Sequence, residues 1–167
     1  MPRYKNKRLK VTNTSEFFDM LERLFNEREK ALVTVLYYWG IRISEALSLK
    51  PNDVFTDKEK IYLKISRLKG SRQTDDIPIN IKSLGIELFL NQVSITNEDN
   101  KIFPISRVQA WRICKKLNLY PHFFRLSRFT HIAEDYGLVF LINFGGITAK
   151  TANSYIGKSE LRDMIIT

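Results

Sequence analysis

The run over residues 31–39, ALVTVLYYW, is strongly apolar and is followed at once by Gly40. With the residues before it, it predicts a helix over 28–39 that the glycine ends. A helix this apolar must be covered by other elements. Apolar residues recur at helical spacing elsewhere, predicting a helix from 16 to about 25 with Phe17, Leu21, Leu24 and Phe25 on one face and Thr14 or Ser15 placed to cap it. Two more are predicted over 81–92 and 106–117, where Leu84, Ile86, Leu88, Phe89, Val108, Trp111 and Ile113 read as packing residues and Cys114 as a small hydrophobe beside them. The stretch 41–49 also has helical spacing, and Pro51-Asn52-Asp53 marks a turn. Only 60–65, containing IYLKI, and 76–79, DIPI, read as strands, joined as a hairpin through SRLKGSRQTD. The expected fold is mainly α with a small antiparallel β-hairpin or sheet at one edge. With 167 residues, 44% of them hydrophobic, the chain is read as one domain over 14–167, with a basic tail or linker over 1–13 and a C-terminal tail from about 156.

Charge narrows the partner. Lys and Arg number 27 against 18 acids, a formal net charge of +9, which favours a polyanion and nucleic acid before an anionic membrane surface. No apolar run approaches bilayer-spanning length and the N-terminus lacks a signal-peptide core, so the expectation is a soluble, cytoplasmic protein associated with cellular DNA. The single cysteine excludes an internal disulfide and a cysteine-cluster metal site; two histidines argue against a histidine-rich one. No metal or cofactor is expected.

Candidate chemistry gathers late in the chain. Over 121–159 a His-x-x-Arg pair, His122 and Arg125, is followed by Tyr155 in a polar segment after Phe144-Gly145-Gly146. Arginine makes forked, charge-assisted bonds to phosphate oxygens, neutral imidazole takes a proton near neutrality, and a deprotonated phenol is a nucleophile. That combination suggests phosphoryl transfer. Arg42 lies beside the helix-terminal amides after Gly40, where an anion is welcome, although taken alone an ion pair with Glu45 on a helix surface is the better explanation. Arg67, Lys69 and Arg72 surround Gly70 at the expected hairpin tip, with Lys64 on the strand as the rival to Lys69. Arg67, Arg72, Lys150 and Lys158 read as phosphate-positioning charges. Ordinary structural readings stand beside these: His122 as a helix cap, His131 as a structural residue, Tyr155 as one of 7 tyrosines.

The order of these segments resembles the catalytic domain of tyrosine recombinases, the phage-integrase family. Gly40, Arg42, Ser44 and Glu45 match its Gly-x-Arg-x-Ser-Glu motif, Lys69 and Ile77-Pro78 its hairpin lysine before an Ile-Pro pair, His122 and Arg125 its His-x-x-Arg box. Phe144-Gly145-Gly146 falls on its Leu-Gly-His segment and Tyr155 on its nucleophile. The likeness spans about 28 to 155. It departs at Gly146, where the family usually carries His or Trp, at Leu126, often His, and in a shorter segment between Gly137 and Gly145. The resemblance implies site-specific DNA recombination or integration: Tyr155 attacks a phosphodiester and forms a 3′-phosphotyrosyl bond, Arg42 and Arg125 clamp the non-bridging oxygens, Lys69 protonates the leaving 5′-oxygen, and His122 accepts the phenol proton or holds the phosphate. It further implies double-stranded DNA as partner and a homo-oligomer, a tetramer, on it. Two alternatives remain open: a type IB-like topoisomerase, and a DNA-binding protein on the same scaffold without strand cleavage.

Overall fold

The structure, a computed structural model, describes residues 14–65 and 77–155. The segment 1–13, the expected hairpin tip with Arg67, Lys69 and Arg72, and the tail from 156 with Lys158 lie outside the described residues. In chain order the elements are α1 (Thr14–Glu22), α2 (Glu27–Trp39), α3 (Ile43–Ser48), a 3-10 turn (Pro51–Asp53), β1 (Val54–Asp57), β2 (Lys60–Leu63), β3 (Ile79–Asn80), α4 (Ile86–Ser94), α5 (Arg107–Lys116), α6 (Pro121–Tyr136), α7 (Leu138–Gly145) and α8 (Ala149–Asn153). The expected mainly helical fold with a small antiparallel sheet is what is found.

The apolar run lies on α2, the central helix. Asn26 starts it, its side chain accepting from the amides of Arg28 at 2.8 Å and Glu29 at 3.3 Å, and Glu27 and Glu29 sit favourably in the first turn. Residues Ala31, Leu32, Val33, Val35, Leu36 and Trp39 are buried all around the helix, because α4 and α6 pack on it together with α1 and α3. Gly40 ends it in the left-handed region, φ 58°, and a Cβ there would stand 2.8 Å from Cβ of Arg128 on α6. Both facts require glycine: the backbone turns sharply and α6 passes close.

Several expected boundaries move. The helix read over 16–25 is α1 and ends at Glu22; Leu24 is buried beyond it, while Phe25 is 97% exposed because the chain has already turned toward the Asn26 cap. The helix read from 81 starts at Ile86, since Gly85, φ 85°, precedes it and packs against Thr34 of α2. Strand β1 was not expected; it pairs antiparallel with β2, Val54 opposite Leu63, across a turn at Lys58 with φ 55°. β3 adds antiparallel on the other side, Ile61 opposite Ile79, so the predicted antiparallel pairing is present, but of the strand read over 76–79 only Ile79 belongs to β3, Ile77 and Pro78 preceding it and Asp76 lying outside the described residues. Of the proposed packing residues, Ile86, Phe89, Ile113 and Cys114 are buried, and burial pushes the Cys114 thiol up to about 12. Val108 and Trp111 are not core: they are 59% and 46% exposed. Among the described residues no helix is long and apolar enough to cross a membrane.

Candidate active site

The junction between α2 and α3 builds one wall of a cleft of about 720 Å³, and the start of α6 builds the facing one. Arg42 is the residue before α3, and it is held twice by Glu45: a carboxylate oxygen accepts from the Arg42 amide at 2.8 Å, and the other accepts from Nη1 at 3.0 Å. Glu45 is fully buried while the Arg42 side chain stays 36% exposed, so the carboxylate is an anchor and the guanidinium still faces the cleft. The ion pair read from the sequence is present, and it leaves Arg42 on the cleft lining. Ser44 also lines this wall.

On α6, Pro121 takes the first helical position, where its missing N–H is not needed, and Tyr120 is the capping residue. His122 is thus inside the first turn and is not the cap. Arg125, one turn on, is 2% exposed; its Nη1 donates to the Gly40 carbonyl at 3.1 Å, and its guanidinium carbon lies 4.1 Å over the ring of Phe129. The bond to Gly40 ties the second arginine to the loop that carries the first. Arg42, His122 and Arg125, from two distant segments, line the same cleft. Desolvation at the cleft wall, then the charges of Arg125 and Arg42, hold the His122 imidazole below its ordinary value, so the neutral ring prevails at pH 7. Two guanidiniums and a neutral imidazole can bind a phosphodiester and accept a proton.

Tyr155 does not line this cleft. It follows α8, is 7% exposed, and packs edge-on against Phe129 with ring centres 5.2 Å apart. Phe129 thereby joins two of the expected residues, carrying Arg125 over its ring and Tyr155 against it. The ring also dictates Gly145, where a Cβ would come within 2.9 Å of Phe129 Cε2. Gly146 has a conformational reason of its own: it caps α7 at φ 58° in the left-handed region. Lys150 is exposed on α8. The Arg42–Glu45 ion pair read from the sequence is present; sequence reasoning missed Phe129, which looks like any core aromatic. It also missed Arg107, Val108 and Trp111, which line the cleft from α5.

This helical scaffold has counterparts among known proteins. The sequence matches the phage integrase family over residues 7–135, and the chain belongs to that family. It is 30% identical over 159 residues to tyrosine recombinase XerD of Corynebacterium glutamicum, covering 80% of this chain and 45% of XerD. The chain therefore spans less than half the length of that curated relative. Its fold is similar to that of XerH site-specific recombinase bound to difH substrate in a pre-cleavage complex, with TM-score 0.71, 18% identity, and coverage of 98% of this chain and 55% of XerH. A post-cleavage complex of XerH with palindromic difH gives TM-score 0.70 at 18% identity, covering 96% and 53%. XerA recombinase gives TM-score 0.65 at 20% identity, covering 98% and 65%.

Proposed function

We propose that this chain carries the strand-cleaving and rejoining centre of a site-specific DNA recombinase or integrase. The observation that carries the reading is the meeting of Arg42, His122 and Arg125 in one cleft; family membership supports it. Arg42 and Arg125 bind the non-bridging oxygens of the scissile phosphate and stabilise charge that grows at phosphorus. Tyr155 attacks in line, its phenol proton passes to His122, and the P–O5′ bond breaks. Lys69 protonates the departing 5′-oxygen, and the product is a 3′-phosphotyrosyl bond that a 5′-hydroxyl can reverse. Arg67, Arg72, Lys150 and Lys158 contact flanking phosphates of duplex DNA, and the protein works as a homo-oligomer, a tetramer on paired sites.

The test uses a nicked duplex from which the cleaved strand diffuses away, followed by denaturing electrophoresis. A covalent protein–DNA adduct is expected, and Tyr155→Phe should abolish it. A second reading, a DNA-binding scaffold without cleavage, is favoured by the position of Tyr155, which is 7% exposed and outside the cleft lining. Binding of duplex with no adduct would establish that reading instead. Relaxation of supercoiled plasmid without paired sites would point to topoisomerase chemistry.

A further inference from the structure

We infer that α5 provides a nucleotide-edge subsite beside the phosphate cleft, in which Trp111 and Val108 receive the non-polar sugar–base edge of the nucleotide adjoining the phosphate held by Arg42 and Arg125. This deepens the DNA reading above and rests on it. Val108 and Trp111 are three residues apart on one helix and so share a face. Both are large and open, 59% and 46% exposed, and both line the cleft that Arg42, His122 and Arg125 line. An inorganic anion would satisfy only the cationic part of that cleft. A purely apolar ligand would strip water from the two guanidiniums and offer their charge nothing in return. A nucleotide in a duplex meets both demands, with its phosphodiester on one side and its deoxyribose and base edge on the other.

The charges of α5 favour the same occupant. Its sequence, RVQAWRICKK, contains four basic residues and no acidic one, and Arg107 itself reaches the cleft lining. The Lys115 ammonium sits 4.6 Å from the centre of the Trp111 ring, so a cation accompanies the exposed indole. A protein surface covering Trp111 would have to be acidic as well as apolar, whereas a DNA backbone supplies the anion at every nucleotide. In the division of labour usual at such interfaces, phosphates fix the register and side chains reaching the base edge add discrimination. A thymine methyl is the apolar group best placed to use an indole and a valine there.

The chain has two tryptophans, and Trp39 is 1% exposed, so acrylamide quenching of intrinsic fluorescence reports Trp111. Two probes are compared: a mixed-sequence duplex and linear inorganic polyphosphate, which has the anion without sugar or base. Duplex should shield the fluorescence from acrylamide far more than polyphosphate does. Trp111→Ala should weaken duplex binding about tenfold, in the range of one lost base–aromatic contact, and Trp111→Phe should recover most of it. The slope of log affinity against log salt should stay unchanged in Trp111→Ala, because no phosphate contact is removed; Arg42→Ala should lower it by about 1. Affinity for polyphosphate should not move in Trp111→Ala. Equal duplex binding by wild type and Trp111→Ala overturns this inference alone, and so does a parallel loss for both probes, which would mean that Trp111 merely supports the helix. A wild-type chain that binds polyphosphate but not duplex overturns both this inference and the DNA reading.

Discussion

Glu45→Gln is the sharpest probe of how Arg42 is held. The carboxylate of Glu45 accepts from the Arg42 amide through one oxygen and from the guanidinium through the other. A glutamine has one oxygen, so its NH2 group must face one of these two donors, and a donor is then buried against a donor. The amide bond closes the first turn of α3, a helix of only 6 residues, and losing such a cap costs about 1 kcal/mol. The lost ion pair is discounted because the Arg42 side chain is 36% exposed and re-solvates; it adds about 1 kcal/mol rather than the ~3–5 kcal/mol of a fully buried pair. Urea unfolding should therefore show a loss of about 1–2 kcal/mol for Glu45→Gln. Arg42 keeps its charge but loses its fixed direction, so adduct formation on the nicked duplex should fall by roughly 10–100-fold, a misplacement effect. Duplex affinity at low salt should change less than about threefold, since the count of phosphate-binding cations is preserved. A Glu45→Gln protein with wild-type stability and wild-type cleavage would refute the claim that the carboxylate positions Arg42.

His122 sits below its ordinary value because of desolvation and the charges of Arg125 and Arg42, so the neutral ring is favoured in the folded protein. A depressed base contributes nothing adverse above its unfolded value of about 6.5 and loses the reaction as pH falls through the folded one. Adduct formation should thus be flat near pH 7 and be lost at a midpoint below the ordinary imidazole value of about 6.5, and Arg42→Ala should move that midpoint upward because a repelling charge is gone. Gly145→Ala brings a Cβ to 2.9 Å from the Phe129 ring and should destabilise by about 1–3 kcal/mol by overpacking, less the ~1 kcal/mol that alanine gains in a helix. In Phe129→Leu the opposing ring atoms are absent, so the double variant should be more stable than the sum of the singles by about 1 kcal/mol in thermal melts; strict additivity would argue against that contact.

The features legible in the sequence were those written locally. The apolar run on α2, the glycine that ends it and the antiparallel pairing of the predicted strands all follow from neighbours in the chain, and all are present. β1 was silent because its residues Phe55, Thr56 and Asp57 are exposed, leaving no alternation to read, and its existence depends on pairing with β2. Val108 and Trp111 misled for a related reason. Apolar residues at helical spacing mark a face that wants covering, and spacing does not say whether a core or a ligand covers it. The candidate site depended on order: Arg42, His122, Arg125 and Tyr155 are far apart, and only the family pattern grouped them. The structure brings the first three to one cleft, leaves Tyr155 packed against Phe129, and shows the Arg42–Glu45 ion pair with its carboxylate fully buried. Lys69, Arg67, Arg72 and Lys158 lie outside the described residues.

The seat of Tyr155 against Phe129 makes the proposed reactant part of the folded interior. Drawing an aromatic ring of this kind into contact with a phosphate vacates a space in the core, at a cost of up to about 1.5–3 kcal/mol of apolar burial. In the proposed reaction that free energy must come from binding DNA, so an unbound chain holds its phenol out of reach of stray electrophiles. The same amount is released when the ring returns. Repacking then pulls the covalent intermediate back toward sealed DNA, giving the cycle a built-in bias against leaving broken strands.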